Sequence, residues 1–117
     1  MRADIKLNPR AAALETQLVD KFEKIIEPEI GLDIYNLGFL YEITLDETGH
    51  YRVVMTFSEA GCSCIGEVPA AIKATLVDIE GINSVAVDVV WAPVWKMTRI
   101  SRLGRIALGI SPAGLVH

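Results

Sequence analysis

The only thiols in the chain, Cys62 and Cys64, stand one serine apart in the stretch SEAGCSCIGEVP, residues 58–69. A thiolate binds soft metals and attacks electrophiles, and four readings of the pair stay open. Both residues can be small pieces of core, as free cysteines often are. A nucleophilic enzyme needs a base beside the thiol. The histidines are His50, in an expected turn, and His117, at the last position, and neither is expected to reach the loop. Asp33 or Glu59 could substitute, but a carboxylate is a poor base for a thiol. A closed zinc site wants four Cys or His ligands, more than one chain supplies. The remaining reading is an open or shared metal site, with two thiolates per chain or four across a dimer, the count that an iron–sulfur cluster requires. A Cys62–Cys64 disulfide would close a small, strained ring and is set aside.

The elements around the pair decide where the thiols sit. Before them, Leu14, Leu18, Phe22, Ile25 and Ile26 recur at helical spacing over about 11–27, and Pro28 ends the run. The segment PEIGLDIYNLGF is too apolar for a solvated loop and reads as an irregular stretch pinned against the core. Strands are expected over 40–45 and 51–57, joined by a turn using Asp46 and Gly49. Beyond the cysteines, Ile65, Val68, Ile72, Leu76 and Ile79 mark a helix ending at Gly81, with Pro69 in its first turn. A third strand covers 83–91. A last helix covers about 98–108, with Ile100, Leu103 and Ala107 inward. Residues 1–10 are expected to be loosely ordered. The fold class is α+β: a two-layer α/β sandwich in the order α-β-β-α-β-α, with a three-stranded mixed sheet and helices mainly on one face. In this layout Cys62 and Cys64 lie where a strand leaves for a helix, and a helix N-terminus favours negative charge. Glu59 and Glu67 oppose it.

Composition bounds the rest. At 117 residues, 51% hydrophobic and 22% charged, the chain reads as one globular domain over 1–117. There is no apolar run long enough for a membrane span and no apolar stretch of a leader at MRADIKLNPR, so the expected location is the cytoplasm and no membrane partner is expected. The net charge of −4 argues against nucleic acid. After Asp88 there is no acidic residue, while Lys96, Arg99, Arg102 and Arg105 follow at three-residue intervals. That asymmetry points to an acidic partner surface, with a second copy of the chain as one candidate.

Three stretches then carry a resemblance: EPEIGLDIYNLGFLYEI (27–43), VVMTFSEAGC (53–62) and EGINSVAVDVVWAPVW (80–95). Together they resemble the metal–sulfur cluster biosynthesis family, the small SufT-like and PaaD-like proteins, over about residues 18–110. The resemblance implies a compact α/β domain that assists iron–sulfur cluster assembly, insertion or maintenance without being an enzyme. The family cysteine falls on Cys62, its acidic signature position on Asp33, and its hydroxyl position before the cysteine on Ser58; Glu29 and Asn36 also match the signature. On this basis Cys62 is the expected functional thiol. Asp33, Ser58 and Cys64 are auxiliary, and Cys62 with Cys64 would ligate iron or an iron–sulfur cluster, held transiently and shared between chains. Expected partners are assembly proteins, client apoproteins and a second copy of the chain. The alternative is a metal-free adaptor that docks partners through Arg99, Arg102 and Arg105. Departures from the family pattern are Ser63 and Ala60 in place of prolines, Cys64 in place of an apolar residue, Ala92 in place of an acid, and Val94 where proline is common. Losing both prolines leaves the loop less rigid and frees the Ser63 N–H.

Overall fold

The structure, a computed structural model, describes residues 4–58 and 64–109, and for Cys64 the backbone only. Four strands, Lys6–Leu7 (β1), Leu40–Leu45 (β2), His50–Met55 (β3) and Ser84–Val89 (β4), form one mixed sheet in the order β1-β2-β3-β4. β1 is parallel to β2, β2 antiparallel to β3, and β3 parallel to β4. The sheet therefore has four strands among the described residues, where three were expected. The additional strand comes from the segment expected to be loosely ordered. Two residues are too short to show alternation in sequence, and the tether is a side chain. Asn8 accepts from Leu45 N at 3.1 Å and donates to Leu45 O at 2.8 Å, extending the ladder sideways. The same Oδ1 accepts from Ala11 N at 3.0 Å and caps the helix Pro9–Ala12 (α1).

The expected helix over 11–27 is divided into α1 and Glu15–Phe22 (α2). Leu18 and Phe22 are fully buried, but Ile26 lies beyond the helix and half exposed. The chain leaves α2 early because its next residues serve the following segment. Ile26 and Asp33 form an isolated bridge, and Ile34 N donates to Ile25 O at 3.0 Å. The stretch expected to be irregular contains one short helix, Ile34–Leu37 (α3), closed by Gly38 in the left-handed region at φ 75°. A Cβ on Gly38 would lie 2.7 Å from Arg99 Cβ, so this glycine is required twice over, for its backbone conformation and for the close approach.

The β2–β3 turn is built as its sequence indicates. The Asp46 carboxylate accepts from the Thr48 hydroxyl at 2.7 Å, from Thr48 N at 2.9 Å and from His50 N at 3.0 Å. The Thr48 hydroxyl bond first, then the His50 N–H, hold its carboxyl below the usual range. Tyr51, Val53 and Met55 face the core and pair with Val85, Val87 and Val89 of β4, while Arg52 and Asp88 form a 2.6 Å ion pair on the open face. The helix after the cysteines is Cys64–Leu76 (α4), burying Val68, Ile72 and Leu76. It starts early enough that Pro69 lies inside it rather than in its first turn, which leaves the Ile65 carbonyl without a helical amide. The last expected helix is a 3₁₀ turn, Met97–Arg99, followed by Arg102–Ala107 (α5). Ser101 breaks the run and caps α5, accepting from Gly104 N at 2.9 Å. The break rotates the register: Ile100 is buried as expected, but Leu103 is 66% exposed and Ala107 is exposed, and Gly104 takes the inward position. A Cβ there would meet Leu32 Cδ2 at 2.8 Å. No helix of the described residues is long and apolar enough to cross a membrane.

Candidate functional site

β3 and β4 are parallel neighbours and α4 is the crossover between them, so the chain leaves the carboxyl end of β3 through Thr56, Phe57 and Ser58, and α4 begins at Cys64. Main-chain bonds from Thr56 N to Phe39 O (2.9 Å) and from Val90 N to Met55 O (2.8 Å) hold this end of the sheet. An aromatic cluster supports it. Phe57 packs edge-on to Phe39 with centroids 5.6 Å apart, Phe39 edge-on to Trp95 at 5.5 Å, and Phe57 lies 6.5 Å from Trp91. Trp95 is fixed by its indole N–H donating to Leu37 O at 2.8 Å. Ser58 is exposed at the rim of this floor. Cys62, with Glu59, Ala60 and Ser63, lies outside the described residues; Cys64 is the first residue of α4, and its side chain is also outside them. The loop that carries the thiols is thus bracketed by Ser58 on a rigid strand end and by the start of a thirteen-residue helix.

Asp33 is bonded within its own segment. Its carboxylate caps α3, accepting from Asn36 N at 2.9 Å and from Asn36 Nδ2 at 3.0 and 3.1 Å, and both residues are only 8% exposed. Asn36 Oδ1 accepts from the Ser101 hydroxyl at 2.6 Å, and Ser101 N donates to Asn36 O at 2.8 Å. Asp33, Asn36 and Ser101 therefore form a chain of bonds joining the PEIGLDIYNLG segment to the cap of α5. Glu29 donates its N–H to Glu27 Oε1 at 2.7 Å, and Ile30 N donates to Glu27 Oε2 at 2.9 Å. Glu27, 1% exposed, is the residue that sequence reasoning missed. Its signal was a glutamate directly before Pro28 in an otherwise apolar stretch, where a buried carboxylate must find donors.

The basic positions also separate. Arg99 donates Nε to Gly38 O at 2.7 Å and a terminal nitrogen to Leu40 O at 3.1 Å, lies 3.5 Å from Asp4, and stacks over Tyr41 at 4.5 Å. It lines a cavity of about 330 Å³ on the open face of the sheet, with Asp4, Lys6, Tyr41 and Glu42. Burial raises the Tyr41 phenol, partly offset by the Arg99 guanidinium and a bond with Thr56. Its hydroxyl donates to Pro93 O at 2.5 Å. Arg105 Nε donates to Ile100 O at 3.0 Å, while Arg102 is exposed. Arg99 thus braces the fold, and the arginines do not form one solvated stripe.

Among the described residues no group of three or more His, Cys, Asp or Glu converges. The two thiols of the chain, Cys62 and Cys64, are fewer than the four that a cluster takes.

Residues 15–89 match the family described as iron-sulfur cluster assembly protein. The chain belongs to that family. It is 35% identical over 98 residues to the Fe-S protein maturation auxiliary factor YitW of Bacillus subtilis, covering 84% of this chain and 96% of the relative. To the Fe-S protein maturation auxiliary factor SufT of Staphylococcus aureus it is 38% identical over 87 residues, covering 74% and 99%. Among solved structures, it resembles a domain of unknown function, DUF59, from Bacillus anthracis, with a TM-score of 0.78, 39% identity and coverage of 86% of this chain and 95% of that one. The hypothetical protein TM0487 of Thermotoga maritima aligns with a TM-score of 0.69, 28% identity, and coverage of 82% and 94%. The matched span contains Phe39 and Phe57 of the aromatic floor but not Trp91 and Trp95, and it contains both cysteines and the Asp33–Asn36 pair. Ser101 and α5 lie outside it.

Proposed function

We propose that the chain is a non-enzymatic auxiliary factor in the maturation of iron–sulfur proteins, and that the Cys62 thiolate is its working group. Membership of the family supports the accessory role; the placement of the loop supports the residue. Cys62 stands two positions ahead of the first residue of α4, at the end where a helix presents unpaired N–H groups and its positive dipole end. The thiolate is the form of a cysteine that takes up iron. Cys64 adds a second sulfur and Ser58 a hydroxyl at the other mouth of the loop. Iron or a cluster is cargo here, received from assembly proteins and passed to client apoproteins. Asp33 acts by holding the scaffold, since its oxygens are bonded to Asn36.

Anaerobic reconstitution with iron and sulfide tests this, run on the wild type, Cys62→Ala and Cys64→Ala, beside restoration of an iron–sulfur enzyme in a strain lacking a relative. Cys62→Ala is expected to lose both metal uptake and restoration while keeping its melting temperature; Cys64→Ala weakens uptake. If neither substitution alters either readout, the thiol reading is wrong. The adaptor reading has one observation in its favour: α5 exposes Leu103 and Ile106 beside Arg102. It takes over if Arg102→Glu abolishes client capture while Cys62→Ala is silent.

A further inference from the structure

β4 is an edge strand whose outer side is bonded by no described residue. Its inner side can be assigned from its ends. Ser84 N donates to Gly49 O at 3.4 Å and Val90 N to Met55 O at 2.8 Å. By alternation, Ser84, Ala86, Asp88 and Val90 turn their backbone groups toward β3. Val85, Val87 and Val89 therefore turn both N–H and C=O outward. Their side chains pack on the core face but remain half-buried. The strand SVAVDV contains no proline or lysine, the residues that commonly blunt a free edge.

We propose that this edge is the pairing surface of a symmetric dimer, in which β4 of a second copy adds antiparallel about a two-fold axis at Val87. One register satisfies every outward group: Val87 faces Val87 of the second copy, and Val85 faces Val89. Any extended segment could accept the backbone bonds, and the side chains select the occupant. On the core face the row becomes valine against valine, a favourable β-branched pairing that covers the half-buried side chains. On the open face Asp88, the only charge on the strand, falls opposite Ala86 of the second copy. A slip that centred the axis on Asp88 would set the two carboxylates face to face and waste outward donors. The interface is isologous and closed.

The pairing has a consequence for the cysteine loops. Antiparallel β4 strands send the carboxyl ends of the two β3 strands in opposite directions, roughly 20 Å apart by strand spacing and rise. The two cysteine loops therefore start from well-separated strand ends. The proposal stands independently of the iron–sulfur reading.

Sedimentation from low-micromolar to millimolar concentration, with amide exchange followed at each end of the range, tests it. The wild type is expected to dimerise, with slowed exchange at Val85, Val87 and Val89 as dimer forms. Ala86→Asp places a carboxylate opposite Asp88 twice in each dimer and is expected to weaken association roughly fivefold. Ala86→Lys places an ammonium there, beside Arg52 of its own chain, and is expected to strengthen it by a smaller factor, a gain that misfolding cannot imitate. Val87→Pro removes the central outward N–H and should leave a folded monomer. A wild type that stays monomeric throughout overturns the proposal. So does a dimer whose affinity ignores both Ala86 substitutions, or one that leaves the three valine amides unprotected.

Discussion

Replacing Asp33 separates a scaffold role from a chemical one. In Asp33→Ala the α3 cap on Asn36 N is lost, at a cost of about 1 kcal/mol. The Asn36 side-chain amide, 8% exposed, loses a charged acceptor at 3.0 Å and keeps Glu23 at 3.5 Å, which adds about 1–2 kcal/mol. The total is about 2–3 kcal/mol, or roughly 10 °C in melting temperature for a domain of this size. Part of the loss should reach α5, because Asn36 also positions Ser101. Urea denaturation of Asp33→Ala, Asn36→Ala and the double variant measures it; the cycle should show a coupling of at least about 1 kcal/mol. Asp33→Ser, which can still cap, should recover part of the stability. Restoration of an iron–sulfur enzyme should then track the folded fraction across the series. The reasoning fails if Asp33→Ala melts within a degree or two of the wild type yet abolishes restoration. That result would put the carboxylate in the chemistry of the loop.

Two further outcomes follow from backbone and burial. Gly38→Ala should cost about 2–3 kcal/mol by denaturation, combining left-handed strain with the collision against Arg99, whereas Gly31→Ala, at φ 82° with open space around its Cβ position, should cost only about 1 kcal/mol; equal losses would mean that the approach of Arg99 carries no energy. Tyr51→Phe should stabilise the protein by about 1 kcal/mol, because the buried Tyr51 hydroxyl has no partner among the described residues. Burial pushes its phenol up to about 12, so the unfolded chain ionises first and wild-type stability declines as pH rises from about 10 toward 12. The Phe variant should flatten that decline, and a destabilised variant with an unchanged alkaline limb would show that the hydroxyl is bonded after all.

The parts of the fold that were legible in the sequence are those fixed by periodicity over a full element. β2, β3, β4 and the buried row Val68, Ile72 and Leu76 of α4 each repeat an apolar residue at one spacing for six residues or more. What was hidden depends on single side chains. β1 is two residues held by Asn8, and no pattern of two residues distinguishes a strand from a tail. α5 rotated away from its expected register because the Ser101 hydroxyl competes for a backbone amide and restarts the helix. The same limit applies at the site. Residue type marked Asp33 and Arg99 as available charges, whereas the structure gives Asp33 to Asn36 and Arg99 to two carbonyls and Tyr41. A charged side chain in sequence carries no record of which donors or acceptors folding brings to it.

These assignments change what the PEIGLDIYNLG signature means. Glu27, directly before the signature, clamps two amides, Asp33 caps α3, Asn36 reaches Ser101, and Gly38 admits Arg99, so these residues are engaged in holding one segment against the sheet. The next residue, Phe39, starts the aromatic floor under the carboxyl end of β3, and Leu37 anchors Trp95 of that floor. A rigid segment therefore leads directly to the support of the strand end from which Ser58 projects. The thiol loop lacks both family prolines, but the strand end from which it starts is supported from below by Phe39, Phe57 and Trp95.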